Sequence, residues 1–142
     1  MAAKDSLDAP VAIVHGLEGA RRALRTAARL QRRIYIASAE SAGASAGALW
    51  FRALAEAAAE TDGESLAGAI LDCGPYAGPA MEALALGLPL VRFTGPAATA
   101  AKLGALAAAR GARLIAGDLE AFDTLDRDRL EAELEAWLRS QN

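Results

Sequence analysis

A chain of 142 residues that is 54% apolar and 23% charged has the composition of one globular domain, able to bury about two-thirds of its unfolded surface, and excludes a disordered or low-complexity polymer. Its formal charge of −3 and sequence pI of about 5.2 give no bulk attraction to nucleic acid or to an anionic membrane surface. A single cysteine, Cys73, excludes an intramolecular disulfide and a cysteine-rich metal site, and points to a reducing, cytoplasmic compartment.

Residues 1–10 read as a flexible N-terminus. They carry Lys4, Asp5 and Asp8 without the apolar core of a signal peptide. The β-branched run Val11–Val14 predicts the first strand, and Gly16 and Gly19 bracket the turn into a helix over 17–31. That helix holds Arg21, Arg22, Arg25, Arg29, Arg32 and Arg33, a basic stripe that is a solvated face or a contact for an acidic partner. Residues 34–37 predict the second strand, and a loop of small residues over 38–47 leads to a helix over 48–61. The third strand spans 66–71. A Gly- and Pro-rich segment over 72–78 then opens a short helix over 79–86, with Gly87 placed to end it. Residues 88–93 predict the fourth strand, with Pro89 tolerated at its start, and Pro96 opens a helix that runs to Arg110. The fifth strand is 113–116. An irregular stretch separates it from a last helix over 126–140, striped with Leu130, Leu134, Trp137 and Leu138 and acidic at Glu131, Glu133 and Glu135. No stretch reaches the roughly 20 consecutive apolar residues of a membrane span.

Strands and helices that alternate in this way predict a single α/β domain over residues 1–142. The expected architecture is a three-layer α/β/α sandwich on a five-stranded parallel sheet. Near-continuous apolar strands are expected when helices cover both sheet faces. The expected order is flavodoxin-like 2-1-3-4-5, with Rossmann-like 3-2-1-4-5 as the second choice.

In open parallel sheets ligands bind outside the carboxyl ends of the strands, which here carry His15, then Ser38, Glu40 and Ser41, then Asp72 and Cys73, then Thr94, and last Asp118. The segment 72–78 combines tight turning with a helix start, a pairing that suits a phosphate or carboxylate. The turn Thr94–Gly95–Pro96 offers a second such start. The 38–47 loop, with Ser38 and Ser41, is longer than the usual 2–6 or so residues of a βα connection. The candidate ligand-binding residues are therefore Ser38, Ser41, Asp72, Gly74, Gly78, Thr94 and Gly95. The candidates for an acid or base are His15, Glu40 and Asp72, with no cofactor specified. Each has a plainer reading: Asp72 as a loop cap, His15 as a structural hydrogen-bonding group, Cys73 as a small buried residue. One His, one Cys and scattered carboxylates show no metal-ligand spacing.

Three resemblances follow from particular residues. Asp72 after the third strand and Thr94 after the fourth resemble a receiver domain, which implies a phosphoacceptor and a switch hydroxyl at these positions. The first strand, however, ends in His15–Gly16 rather than an acidic pair, and the fifth in Gly117–Asp118 rather than a lysine, so the resemblance implies an interaction module without phosphorelay. The stretch 82–91, with Gly87 and Pro89, resembles the helix–strand segment of two-domain nucleotide-sugar glycosyltransferases and epimerases, which implies a diphosphate at Gly74–Gly78. Gly47 to Phe51, with Leu71 to Gly74, is similar to small stand-alone bacterial α/β proteins of unassigned function. The segment 15–19 lacks flavodoxin's hydroxyl-rich phosphate loop and G-x-G-x-x-G, and no P-loop occurs.

Two functions of different class are expected from these residues. One is binding of a small phosphorylated or carboxylated metabolite at the strand ends; the other is a surface-acting interaction or regulatory module. Adjacent Trp50 and Phe51, about 100° apart on a helix, need not both face one core and suggest a homodimer.

Overall fold

The computed structural model describes residues 7–141. The fold is α/β, with parallel strands that alternate with helices and belong to a sheet of six. In chain order the elements are β1 (Val11–Ile13), α1 (Leu17–Arg29), β2 (Ile34–Ala37), α2 (Ala42–Ser45), α3 (Ala48–Ala58), a 3₁₀ turn (Gly63–Ser65), β3 (Leu66–Asp72), α4 (Ala77–Ala85), β4 (Leu90–Arg92), α5 (Ala97–Ala109), β5 (Arg113–Ile115), β6 (Phe122–Asp123) and α6 (Leu130–Ser140). The chain divides into two compact units, one holding Ser38–Ala53 and Ile70–Leu119, the other Leu7–Ala37, Leu54–Ala69 and residues 120–141.

The first unit is built on β3, β4 and β5, parallel and adjacent in sequence order, with Leu71 beside Val91 and Asp72 beside Arg92. The backbone N–H of Ser38, just past β2, donates to the Ile70 carbonyl at 3.0 Å. Helix α4 packs against α2 and α5. Val91, Phe93, Leu71, Ala80, Ala83, Leu84 and Leu103 are buried. Gly87, at φ +84, ends α4 as its position predicts.

The second unit carries the correction to the expected strand order. In both expected orders β1 has β2 on one side and β3 or β4 on the other. In the structure β1 lies between β2 and a sixth strand, with Ala12 beside both Ile36 and Phe122. The expected reversal after β1 is therefore absent, and β6 occupies that edge. Two residues are too few to show a strand period, so β6 lay hidden in the stretch read as irregular. Its partner decides it: the Thr124 N–H and hydroxyl both donate to the Ile13 carbonyl, at 3.0 and 2.7 Å.

The core of this unit joins Ala12, Val14, Ile34, Ile36 and Phe122 of the strands to Ala20, Ala23, Leu24 and Ala27 of α1 and to Leu134 and Leu138 of α6. The α1 residues recur at the three- and four-residue spacing of one helix face, and their small size lets the helices approach closely. The Phe122 and Trp137 rings lie 5.7 Å apart. Residues 1–6 of the expected flexible N-terminus lie outside the described residues. Those just before β1 are engaged: the Pro10 carbonyl accepts the Tyr35 N–H at 2.8 Å, and Asp8 accepts the Tyr35 hydroxyl.

The basic stripe of α1 divides in two. Arg22 forms a two-pronged pair with Glu131 of α6, at 2.6 and 2.7 Å, and Arg32 donates to the Leu138 and Gln141 carbonyls at the end of α6. Arg25, Arg29 and Arg33 remain exposed. The Arg22 hydrogen bond holds the Glu131 carboxyl at about 2, against the smaller opposing push of burial. A carboxyl whose folded pKa is depressed contributes stability above its unfolded value of about 4.3, and loses that contribution as pH falls toward the folded value. Because Glu131 is 41% exposed, water screens the pair, and its contribution is on the order of a few tenths of a kcal/mol. Glu131→Gln is expected to be less stable than the parent by that amount at pH 7, with the gap closing between pH ~4.5 and ~2. Urea unfolding across that range measures it, and a gap that persists at low pH contradicts the assignment.

Candidate functional site

In the first unit the 38–47 loop and the end of β3 are joined by one carboxylate. Asp72 ends β3, and its Oδ1 accepts the backbone N–H groups of Ser41, at 3.1 Å, and Gly74, at 2.8 Å. Its Oδ2 accepts Arg92 Nη1 at 2.9 Å. The ion pair follows from register, because Asp72 and Arg92 sit side by side on β3 and β4. Both partners are largely out of water, with side chains 8% and 19% exposed. Arg92 Nη2 also donates to the Gly117 carbonyl at 3.4 Å, whereas the buried Nε has no partner. Ser38 completes the frame by accepting the Asp72 N–H on its hydroxyl at 2.9 Å.

The loops around this carboxylate approach one another closely. Gly74 has φ +56, and a Cβ there would lie 2.1 Å from Ser41 Oγ. A Cβ on Gly43 would meet Cys73 Sγ at 2.5 Å, and one on Gly95 would meet the Phe93 ring at 2.3 Å. Ser41 itself has φ +60, uncommon for a residue with a side chain. The Thr94 N–H donates to the Gly74 carbonyl at 2.8 Å, which ties the β4 loop to the β3 loop.

The structure thus brings Ser38, Ser41, Asp72, Gly74, Thr94 and Gly95 together in one unit. Asp72 is turned inward with both oxygens engaged, and Ser38 bonds to the backbone. The Ser41 and Thr94 hydroxyls have no hydrogen-bond partner among the described residues. Glu40 is exposed beside them. Gly78 lies in the first turn of α4 with open space where a Cβ would go, so neither space nor backbone angle demands glycine there. In α4 the first N–H bonded back is that of Ala80, to Tyr76, and in α5 that of Ala100, to Pro96. The preceding N–H groups, Ala77 and Gly78 in one helix and Ala97, Ala98 and Thr99 in the other, have no side-chain cap.

His15 belongs to the other unit, where its Nε2 lies 2.7 Å from Asp123 Oδ1. Cys73 is fully buried, and burial, helped by the nearby Asp72 charge, pushes its thiol up to about 12. It is a neutral packing group rather than a nucleophile. Among the described residues no group of three or more His, Cys, Asp or Glu is placed to hold a metal. No helix among them is long and apolar enough to cross a membrane.

Sequence reasoning missed two residues of these arrangements, Arg92 and Asp123. Arg92 gave one signal: it is the lone charge inside an otherwise apolar strand, and a buried arginine needs a partner. Asp123 gave none, because its strand was invisible.

No family model matches the chain, and no curated protein matches it. Among solved structures it is similar to a crystal structure of a candidate fructose-1,6-biphosphate aldolase from Coccidioides immitis, at TM-score 0.59 and 20% identity. The match covers 75% of this chain and 44% of that one, so the chain spans under half the length of the structure it resembles, and the likeness is one of α/β fold.

Proposed function

We propose that the loops at the carboxyl ends of β2, β3 and β4 in the first unit bind a small phosphorylated or carboxylated metabolite. One observation carries this reading: a rim of uncapped helix N–H groups and unbonded hydroxyls rests on a frame whose only buried carboxylate is cancelled by Arg92. Amide donors at helix starts attract an anion, and neutralising Asp72 removes the charge that would repel it. The Ser41 and Thr94 hydroxyls supply direct hydrogen bonds, Gly74 and Gly95 let the backbone come close, and Asp72 and Ser38 position the loops. The similar solved structure is named for a substrate that carries phosphates, the same ligand class. The assignment is to binding, in a cytoplasmic protein, with no catalytic step attached.

Thermal unfolding against sugar phosphates, nucleotides, coenzyme A esters and small carboxylates tests it. A ligand at 100 times its Kd adds about 2.7 kcal/mol, which raises the midpoint by several degrees. The shift is expected to shrink in Ser41→Ala and Thr94→Val, whose unliganded midpoints stay near the parent value. No shift with any compound rejects the reading.

A second reading, an interaction module or homodimer, is favoured by the exposure of Leu49, Trp50, Tyr76 and Met81 in this same unit. Phe51 is buried and so contributes no surface, which leaves Trp50 to carry the expected dimer contact. Analytical ultracentrifugation of the parent and Trp50→Lys decides it: a concentration-dependent dimer lost in the variant supports this reading, and a monomer throughout removes it.

A further inference from the structure

His15 follows β1 two residues beyond Ile13, and Asp123 is the register partner of Ile13 on β6. Residues two apart on a strand share a face, so the imidazole is carried to the carboxylate on the neighbouring strand, and Nε2 comes within 2.7 Å of Asp123 Oδ1. An ionised carboxylate only accepts, so Nε2 is the donor and the neutral ring keeps its lone pair on Nδ1. Asp123 is anchored in turn. Its Oδ1 accepts the Leu125 N–H at 2.9 Å, and its carbonyl accepts Arg127 Nε at 2.9 Å. Burial pushes the Asp123 carboxyl up, but the Leu125 N–H, His15 and the Arg127 charge outweigh it and hold the group below its ordinary value. Nδ1 has no partner among the described residues, and the ring reaches solvent. Two residues on, α1 begins. The first N–H it bonds back is that of Ala20, to Gly16, which leaves the Leu17, Glu18 and Gly19 N–H groups without a partner in the helix.

We propose that His15 is a nucleophilic imidazole that accepts a phosphoryl group on Nδ1, with Asp123 as its positioning residue. The donor class is an acyl phosphate or a phosphoramidate. The Nδ1 lone pair attacks phosphorus, the N–P bond forms as the bond from phosphorus to the leaving group breaks, and the leaving group departs with that electron pair. With phosphoramidate it departs as ammonia. The proton on Nε2 stays on the ring, and Asp123 balances the positive charge the ring gains. This inference is independent of the anion site in the other unit.

The test is incubation of the full chain with phosphoramidate, followed by intact mass and by ³¹P–¹H correlation NMR, which tells Nδ1 from Nε2 adducts. The expected result is a single acid-labile adduct on Nδ1, formed at least about tenfold faster than on the same chain unfolded in urea, because the Asp123 carboxylate is already in place to balance the positive charge the ring gains. Asp123→Asn, which keeps an oxygen for the Leu125 N–H, is expected to bring the rate down toward the unfolded value, and His15→Gln to abolish the adduct. An Nε2 adduct, a folded rate no greater than the unfolded one, or an unchanged rate in Asp123→Asn overturns the proposal. The site of attachment is read on the unsubstituted chain, so it stands whether or not either variant folds.

Discussion

Asp72→Ala is expected to lower stability by about 3–5 kcal/mol, with a fall in the midpoint of roughly 10–20 °C. The substitution removes far more than one ion pair. It strands the Arg92 guanidinium, 19% exposed and already with an unpartnered Nε, and takes the acceptor from the Ser41 and Gly74 N–H groups. A buried charge without its partner is costlier than the intact pair is stabilising. Asp72→Asn keeps an oxygen for the two amides, so its loss comes mainly from Arg92. Combining it with Arg92→Met removes both charges, and the double variant is expected to recover about 0.5–3 kcal/mol relative to the sum of the singles. Urea unfolding of the four proteins measures the coupling. Strict additivity would mean that Asp72 and Arg92 do not act as a pair. Because Asp72 holds the loops together, a ligand effect in its variants cannot be separated from their loss of structure. Ser41 and Thr94 are the positions that report on binding.

Gly74→Ala is expected to cost about 2–4 kcal/mol from two sources. The left-handed backbone at φ +56 disfavours any Cβ by about 1–2 kcal/mol. The remainder is the collision with Ser41, whose Oγ would lie at 2.1 Å and whose Cβ would lie at 3.1 Å. Ser41→Gly removes both contacting atoms at a residue that itself has φ +60, so it is expected to be tolerated alone. In that background the cost of Gly74→Ala should fall to the backbone part. If it does not fall, the two loops do not meet as the structure places them.

How much of this was legible depends on how local the signal was. The helices of the two cores were readable because their small apolar residues recur at helical spacing, as in Ala20, Ala23, Leu24 and Ala27. The loop over 38–47 was noticed for its length, but α2 inside it was not. Ala42–Ser45 is a single turn of small residues, held where the Asp72 carboxylate takes the Ser41 N–H. The last helix was placed at 126–140 and begins at Leu130, because Asp126, at φ +53, and Arg129, at φ −121 and ψ 53, both lie outside the helical region. Of the candidate site, the rule that strand ends gather polar residues pointed to loops that the structure brings together in one unit, with Ser38, Ser41, Asp72, Gly74, Thr94 and Gly95 among them, whereas His15 lies in the other unit. The inward turn of Asp72 could not be read, since it depends on Arg92 lying beside it on the neighbouring strand β4.

The sequence by itself determined the α/β class and the span of most elements. Each of these rests on periodicity or on turn chemistry within a few residues, which is physics local to the chain. The tertiary structure alone decided that β6 exists and flanks β1, that Asp72 is a frame member, and that His15 faces Asp123. Each of these joins groups from separate strands, up to 111 residues apart for Ile13 and Thr124. Such pairings are stabilised only when the strands already lie side by side, and no local pattern records which strands will.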